Sequence, residues 1–429
     1  MALTTTPADR VFTLKTQDTM KRIALILIAV LLSLGGAQAR KAAKFITVSG
    51  QDLVLPGGEK FFIQGTNLGN WLNPEGYMFG FGRTNSPWMI DLMLRQLVGP
   101  DEAARFWQQF KANYITRDDL HFIRQQGANT VRLPFNYRLF TQEDYMGLAD
   151  NTHEGFRIID QLVEWCRQED LYLILDMHDC PGGQTGDNID DGYGYPWLFE
   201  SEASQQLFCD IWQRIARHYA KEPVILGYEL MNEPIAHYFA NKDSLNQLLE
   251  PLYKRAVKAI RQADRNHIIL LGGARWNSDF FMFHDWTFDP NIMYTCHRYG
   301  GDATAEAIGD YTRHQQKTDR PMYMGEIGHN SDEWQADFVR VMKQQNIGYT
   351  FWPYKKLDNS CMNAIQRPKG WREVIVHYAE TPRGTFQEFR DARPDQAEAR
   401  RLLDEFLDNC RFSQCRPQEG YIRSMGLKD

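Results

Sequence analysis

Short apolar runs alternate with amphipathic segments along most of the chain. Eight runs have the length and composition of buried β-strands, and they cover residues 61–68, 129–134, 171–177, 224–231, 268–272, 292–295, 321–325 and 348–352. Between them, apolar residues recur at helical spacing in residues 156–165, 207–219, 248–260 and 334–342. Strands that alternate with helices predict a parallel sheet covered by helices.

The number of predicted strands favours a closed α/β fold, the (β/α)8 or TIM barrel, over an open doubly wound sheet. No Gly-x-Gly-x-x-Gly motif follows the first strand, which argues further against the open sheet. The chain has no Pro/Gly/Ser-rich linker and no internal repeat, so we expect one catalytic domain over residues 40–429, with a closing helix at 393–410 and a tail. Residues 71–115 and 353–393 are predicted as long excursions at the C-terminal face of the strands, where barrels carry their active sites.

The N-terminal residues 1–39 are predicted to be an extension followed by a secretory signal peptide. Met20-Lys-Arg22 is a basic start, residues 23–34 are apolar, and Ala37-Gln-Ala39 has the small-x-small pattern of a cleavage site. The apolar run is shorter than the roughly 20 residues that span a bilayer. We therefore predict cleavage after Ala39, with Met20 as an alternative start, and a secreted or periplasmic protein without stable membrane insertion. An uncleaved anchor is the alternative.

Composition excludes several classes of partner. The formal net charge of the 429 residues is -7, and Lys and Arg are scattered along the chain, so binding of nucleic acid through counterion release is not expected. Seven cysteines are too few for a disulfide scaffold, although Cys410 and Cys415 could be bridged or free. Without a paired CxxC or an HExxH motif, we expect no metal site and no cofactor. We expect a monomer.

Polar and aromatic residues recur at the C-terminal ends of the predicted strands. The set consists of Arg132, His178, Asn232, Glu233, His297, Tyr299, Glu326 and Trp352. Each has a structural alternative when taken alone: a loop-anchoring arginine, a hydrogen-bonded histidine, a turn asparagine before proline, or a core tryptophan. Charged groups are rarely buried without partners, so their repetition at one end of a barrel indicates a functional cavity.

The two glutamates of this set suggest glycosidic bond cleavage. Glu233 and Glu326 follow strands four and seven, and would face each other across the barrel mouth. In the retaining mode, one acid protonates the leaving oxygen while a carboxylate about 5–5.5 Å away attacks the anomeric carbon. Two close carboxylates repel, which keeps one of them protonated near neutral pH. Arg132 can hold the other one ionised. The alternative is a pair of satisfied ion pairs at the barrel rim.

Three further residues fit the same chemistry. Tyr299 could donate a hydrogen bond to the nucleophile. Asn232 is placed to bind the sugar 2-hydroxyl, a contact that strengthens in the transition state. Trp352 offers a flat surface for a sugar ring.

With these residues in order, residues 61 to about 371 resemble glycoside hydrolase family 5, the cellulase family. The most specific piece is Leu230-Met-Asn-Glu-Pro234, which matches the acid/base position of that family, and Gly325-Glu326-Ile327 matches the nucleophile position. The remaining family positions are matched by Arg132, His178, Asn232, the His-x-Tyr pair His297 and Tyr299, and Trp352. The resemblance implies a retaining (β/α)8 hydrolase that acts by double displacement on a β-linked polysaccharide or oligosaccharide.

The sequence indicates the branch within this family less specifically than the family itself. Gly65-Thr-Asn-Leu-Gly-Asn-Trp71, Pro181-Gly-Gly-Gln184 and Tyr195-Pro-Trp-Leu-Phe199 are similar to the branch with exo-β-1,3-glucanases, whereas endo-β-1,4-glucanases share most of the catalytic set. We expect β-glucan hydrolysis of either type. A β-mannanase or another hemicellulase is the alternative within the fold, and a non-catalytic carbohydrate-binding barrel is the alternative outside enzymes. A serine hydrolase is disfavoured because no Gly-x-Ser-x-Gly motif occurs.

The further substrate-binding candidates are Asn67, Trp71, Trp197 and Trp276, and each aromatic could equally be a core residue.

Overall fold

Eight parallel strands close into a barrel in the computed structural model, which describes residues 45–147 and 153–428. A small antiparallel sheet of β1 (Thr47–Ser49), β2 (Asp52–Val54) and β3 (Lys60–Phe61) comes first in the chain. The barrel strands are β4 (Gln64–Asn67), β5 (Thr130–Asn136), β6 (Tyr172–Asp179), β7 (Ile225–Glu229), β8 (Ile268–Gly272), β9 (Ile292–His297), β10 (Met322–Ile327) and β11 (Gly348–Phe351). A last small sheet contains β12 (Lys355–Leu357), β13 (Asn363–Ile365) and β14 (Arg416–Pro417).

Helices follow the strands and cover the barrel. In chain order they are α1 (Pro87–Val98), α2 (Pro100–Tyr114), α3 (Arg117–Gln125), α4 (Glu154–Gln168), α5 (Glu202–Tyr219), α6 (Lys242–Arg261), the short turn α7 (Ala274–Asn277), α8 (Gly309–Thr318), α9 (Asp332–Gln344), α10 (His377–Glu380), α11 (Phe386–Ala392), α12 (Gln396–Asn409) and α13 (Glu419–Ser424). Serine side chains cap the first free N–H groups of α1, α5 and α9 at Ser86, Ser201 and Ser331.

The predicted barrel is confirmed, with eight strands paired in chain order and closed between β4 and β11. Nearly every strand residue is buried, as expected for a parallel sheet covered by helices. The prediction for residues 61–68 was too long. Phe61 pairs with β2 in the antiparallel sheet, and the barrel strand begins only at Gln64.

The two predicted excursions have structure of their own. Residues 71–115 include α1 and α2, and residues 353–393 include β12, β13, α10 and α11. The closing helix, predicted at 393–410, is α12. Its Phe406 ring packs 4.8 Å from the Trp371 ring and 5.6 Å from that of Phe79, measured between ring centroids. Helix α12 therefore packs in one hydrophobic core with Phe79 and Trp371, which lie in segments that follow β4 and β11.

Several expectations concern the chain termini and cysteines. The predicted signal peptide, with its cleavage after Ala39, lies outside the described residues. Within residues 45–147 and 153–428, no helix combines the length and apolar character needed to cross a bilayer. All seven cysteines are free thiols, so Cys410 and Cys415 are not bridged.

Replacement of Phe406 tests whether α12 stabilises the barrel. Phe406→Ala removes a fully buried ring from contact with Trp371 and Phe79, and we expect it to lower the free energy of unfolding by about 3–5 kcal/mol. Urea unfolding of the purified protein measures this. Phe386→Ala is the matched control, because Phe386 is 79% exposed on α11 and should change stability by less than about 0.5 kcal/mol. Equal effects of the two substitutions would contradict the assignment of α12 to the core.

Candidate active site

Glu326 lies near the end of β10, buried at the barrel mouth. Its Oε1 accepts a hydrogen bond from Arg132 Nη1 at 2.8 Å, and its Oε2 accepts one from the Tyr299 hydroxyl at 2.5 Å. Burial alone would raise the pKa of Glu326, but the neighbouring His297 and Arg132 side chains lower it to about 2. The carboxylate is therefore ionised near neutral pH, as a nucleophile must be.

Arg132 organises the buried polar residues behind this carboxylate. It is fully buried on β5 and forms a two-pronged pair with Glu229, with Nε and Nη2 each 2.8 Å from a carboxylate oxygen. Nη2 also donates to Asn232 Oδ1 at 2.9 Å and lies 3.1 Å from Asp176 Oδ2. Such a planar, five-donor group can bind several oxygens at fixed angles. It thus fixes Glu326 and Asn232 relative to each other.

Glu233 approaches the same point from the other side. It follows β7 in the left-handed region at φ 46°, and its carbonyl oxygen accepts a hydrogen bond from Thr185 Oγ1 at 2.7 Å. Its Oε1 lies 2.7 Å from His297 Nδ1. A carboxylate oxygen of Glu233, one of Glu326 and a ring nitrogen of His297 all lie within 4.8 Å of one another. The two carboxylates are therefore close enough to contact one bound group.

The same three side chains also have the spacing of a cation site. The oxygens of Glu326 already accept hydrogen bonds from Arg132 and Tyr299. A guanidinium at 2.8 Å from a carboxylate oxygen would repel a cation placed there. The donor set therefore suits a pair of catalytic carboxylates better than a resident metal.

His178 and Asn232 form the side of the cavity next to Arg132. His178 Nδ1 lies 2.7 Å from Asp176 Oδ2. Burial lowers the pKa of His178, but Asp176 raises it to about 10. On the other ring nitrogen, Nε2 lies 3.3 Å from Asn232 Nδ2 and 3.6 Å from Glu75 Oε1. The Glu75 carboxylate thus faces Nε2 of His178 at a distance longer than a hydrogen bond.

Trp352 covers this side of the cavity. Its ring stacks on His178 with centroids 5.2 Å apart and planes 5° apart, and its indole N–H donates to the Tyr77 hydroxyl at 2.5 Å. Gly69 leaves room for the ring, because a Cβ there would lie 2.8 Å from Trp352 Cη2. The tryptophan is held in a fixed orientation, which is what a platform for a sugar ring requires.

Glu75 is a third carboxyl group of the cavity, and it belongs to none of the sequence motifs described above. It is 3% exposed, and within the described part of the chain its Oε1 has no hydrogen-bond partner. Its backbone N–H is held by Asn70 Oδ1 at 3.0 Å. Burial raises the pKa of Glu75, and His178 opposes this effect. An unpaired buried carboxyl oxygen is costly, and the hydroxyl groups of a bound sugar would satisfy it.

Two predicted substrate-binding residues, Trp71 and Asn67, are buried and held by hydrogen bonds. Trp71 is 2% exposed, and its indole N–H donates to the Lys111 carbonyl at 2.9 Å. Asn67 is fully buried on β4. It donates to the Gly325 carbonyl at 3.0 Å and accepts from Arg132 Nη1 at 3.0 Å. Asn67 therefore supports Arg132, and substrate binding by either residue stays a prediction.

Trp197 and Trp276 belong to one aromatic cluster, formed by Tyr195, Trp197, Tyr238, Phe239 and Trp276. Neighbouring ring centroids in this cluster lie 4.6 to 6.0 Å apart. Trp197 is 47% exposed and Tyr238 is 52% exposed. The loop that follows Glu233 supplies Tyr238 and Phe239. The exposed rings offer stacking surfaces on the acid/base side of the site.

Sequence reasoning missed Glu75, Asp176 and Glu229, and one signal could have found two of them. Asp176 and Glu229 are charged residues inside otherwise apolar strands, β6 and β7. A charge in a buried strand needs a partner, and Arg132 is the one that both contact. Glu75 lies in a loop without a comparable pattern.

The comparisons with known proteins agree with this geometry. The family model described as "Cellulase (glycosyl hydrolase family 5)" matches residues 97–358, more than half of the chain. A β-xylosidase of Phanerodontia chrysosporium is 32% identical over 260 residues, an alignment that covers 59% of this chain and 52% of that protein. Endoglucanase C of Acetivibrio thermocellus is 24% identical over 316 residues, covering 59% of this chain and 88% of that protein. The chain thus spans about half the length of the first relative.

The crystal structure of an endogalactoceramidase supports the fold. It superposes with a TM-score of 0.55 at 17% identity, covering 73% of this chain and 75% of that one. At this identity the likeness concerns the barrel architecture alone.

Replacement of Arg132 tests whether it neutralises the buried carboxylates. Arg132→Met leaves Asp176, Glu229 and Glu326 without their shared cation, and we expect a loss of about 3–5 kcal/mol in the free energy of unfolding at pH 7. The loss should be smaller at pH 5, because in the variant the uncompensated carboxyl groups can take up protons. In the wild type, the lowered pKa of Glu326 stabilises the folded state fully above the ordinary value of 4.5, and this contribution is lost as the pH falls from there to about 2.

Urea titrations at both pH values measure this difference. Arg313→Met is the control, since Arg313 is 70% exposed and pairs only with the exposed Asp310 among the described residues; it should have little effect at either pH. A loss that is the same at pH 7 and pH 5 would contradict the role given to Arg132.

Proposed function

Because the chain belongs to glycosyl hydrolase family 5, the cellulase family, we propose that it hydrolyses β-linked glycosidic bonds with retention of configuration. Glu326 is the nucleophile and Glu233 the acid/base. The observation that carries the proposal is the convergence of these two carboxylates within 4.8 Å, in unlike environments. Glu326 is paired with Arg132 and Tyr299, whereas Glu233 is paired with His297. Environments of this kind separate the roles of two close acids.

The reaction follows from this asymmetry. In the first step, Glu326 Oε attacks the anomeric carbon while protonated Glu233 gives its proton to the leaving oxygen, so the glycosidic C–O bond breaks and a glycosyl ester forms. In the second step, ionised Glu233 takes a proton from water, and the water oxygen displaces Glu326 from the anomeric carbon. Two inversions give net retention.

The remaining residues bind the sugar ring. Arg132 holds Asn232 Oδ1, which leaves the amide group of Asn232 directed towards the cavity beside His178, where it can bind the 2-hydroxyl. Trp352 stacks under the ring, and Glu75 accepts hydrogen bonds from hydroxyl groups of the same sugar. The aromatic cluster lies on the side of Glu233, where the leaving group departs.

We propose β-glucan as the substrate class, cleaved by exo-β-1,3-glucosidase or endoglucanase action. The segments around Asn67, Gln184 and Trp197 support the exo type, and the likeness to endoglucanase C supports glucan. A second candidate, release of terminal β-xylose, is favoured by the 32% identity to the β-xylosidase. The two sugars share the 2-, 3- and 4-hydroxyl groups and differ at carbon 6.

Removal of either carboxylate should stop catalysis without unfolding the barrel. We expect Glu326→Gln and Glu233→Gln each to lower kcat/KM on an active substrate by about three orders of magnitude or more. Azide should rescue Glu326→Gly and give a glycosyl azide of inverted configuration, because the small anion replaces the missing nucleophile. Glu419→Gln on α13 is the control, since Glu419 is 84% exposed. Near-normal activity of either catalytic variant would disprove the assignment.

A product profile separates the substrate candidates. Laminarin, lichenan, carboxymethylcellulose, mannan and the aryl β-glucoside and β-xyloside are incubated with the enzyme, and the products are separated by chromatography. Glucose alone from laminarin indicates exo action, mixed oligomers indicate endo action, and faster cleavage of the aryl xyloside supports the second candidate. Turnover of mannan alone would contradict both proposals.

A further inference from the structure

The turn after β8 has an unusual backbone. Arg275, Trp276 and Asn277 are consecutive left-handed residues, with φ of 54°, 53° and 58°. This conformation is unfavourable for a residue with a side chain, and such strain persists where the surrounding structure enforces it. Here the Arg275 N–H donates to the Ile235 carbonyl at 2.9 Å, and the Asn277 N–H donates to the Gly273 carbonyl at 3.2 Å. The turn is tied to the loop of Glu233 and places Asn277 beside His297.

The Asn277 amide has a defined orientation. Its Nδ2 lies 3.1 Å from His297 Nε2. Its Oδ1 is buried without a hydrogen-bond partner in the described structure, and a Cβ on Gly272 would lie 2.2 Å from it. The structure thus directs the N–H group of the amide at Nε2 of His297 and its carbonyl oxygen at Gly272. The amide N–H group therefore faces His297, and Nε2 is the acceptor.

The proton of His297 must then reside on Nδ1. This nitrogen lies 2.7 Å from Glu233 Oε1 and 3.5 Å from Glu326 Oε2. The charged groups that face the imidazole are Glu233, Glu326, Arg132 and Glu229. Burial lowers the pKa of His297, and Glu326 and Glu233 raise it above its usual value. A second proton on Nε2 would meet the amide N–H of Asn277, which opposes that rise.

His178 shows the contrast within the same cavity. The ion pairs of His297 with carboxylates involve Nδ1. His178 has Asp176 at Nδ1, and its Nε2 faces both the Asn232 amide nitrogen at 3.3 Å and a Glu75 carboxylate oxygen at 3.6 Å. Among the described residues, His178 thus has a carboxylate near each ring nitrogen, whereas His297 has carboxylates only at Nδ1.

We propose that Asn277 is a positioning residue that keeps His297 neutral and protonated at Nδ1, so that Glu233 can retain the proton it gives to the leaving group. The proposal rests on the acid/base role of Glu233 proposed above. A doubly protonated imidazole 2.7 Å from Glu233 would stabilise the ionised carboxylate and leave the site without its acid. A neutral His297 contributes less to the lowered pKa of Glu326, and Arg132 at 2.8 Å and the Tyr299 hydroxyl at 2.5 Å remain to favour the ionised carboxylate.

The tautomer can be observed directly by NMR of the full chain labelled with 15N-histidine. Long-range 1H–15N correlation spectra at pH 7 should show His297 protonated at Nδ1 and bare at Nε2; His297→Gln identifies its signals by their loss. In Asn277→Asp, the carboxylate offers an acceptor at Nε2, so both nitrogens should be protonated. A doubly protonated His297 in the wild type, or an unchanged His297 in Asn277→Asp, would overturn the proposal.

The consequence for catalysis appears in the pH dependence of kcat/KM. The alkaline limb reports loss of the proton from the acid. We expect Asn277→Asp to move this limb to lower pH by about one unit, and thus to reduce kcat/KM roughly tenfold on the alkaline side. Asn277→Gly keeps the left-handed backbone without the amide and should shift the limb in the same direction by a smaller amount. A loss of kcat with both limbs unmoved would indicate a purely structural role and would overturn the proposal.

Asn346→Asp is the matched control. Asn346 is also left-handed, with φ of 54°, but lies just before β11 at the opposite end of the barrel, where it bonds the Gln51 carbonyl and Asp52. It should leave the pH profile and the His297 signals unchanged. If the wild type hydrolyses no glycoside, the proposed function fails, whereas the NMR spectra still decide the tautomer.

Discussion

The buried guanidinium of Arg132 is the constraint on which the site depends. It lies at the centre of the barrel mouth and contacts Asp176, Glu229 and Glu326, three carboxylates that would repel one another without it. Each such charge is costly to bury, and the arrangement is stable only because the geometry of the hydrogen bonds is good on every side. Asn67 completes the set by binding Nη1 from β4. Residues from four strands are thereby locked to one cation.

Contact with Arg132 gives Glu326 an environment different from that of Glu233. Glu326 belongs to the network of Arg132, and its lowered pKa follows from the positive charges beside it. Glu233 lies outside the network, on a left-handed residue beyond the end of β7, with His297 as its partner. The proposed nucleophile must stay ionised and the proposed acid must keep a proton, and the difference in environment supports these two roles.

The backbone around the acid is also unusual. Glu233 and Ile235 are left-handed at φ of 46° and 57°, and the turn of Arg275 to Asn277 is hydrogen-bonded to Ile235. The barrel strands themselves are buried. Five of the left-handed residues lie in the two loops that position Glu233 and contact His297, and strained residues of this kind are common where function fixes a geometry.

The sequence by itself determined the eight strands, the order of the catalytic set and the family, because apolar periodicity reports burial along one element and the strand ends of a barrel share one face. The partners of each side chain depended on the tertiary structure. The role of Asp176 and Glu229 as partners of Arg132 follows only from the strand register, which brings the three side chains together. Glu75 and Asn277 lie in loops whose sequences show no pattern that would have identified them. The sequence suggested Trp71 and Asn67 as binding residues, and only the packing showed that the first bonds the Lys111 carbonyl and the second bonds Arg132. Local pattern fixes which residues are buried, and only the packing of distant segments decides what they contact.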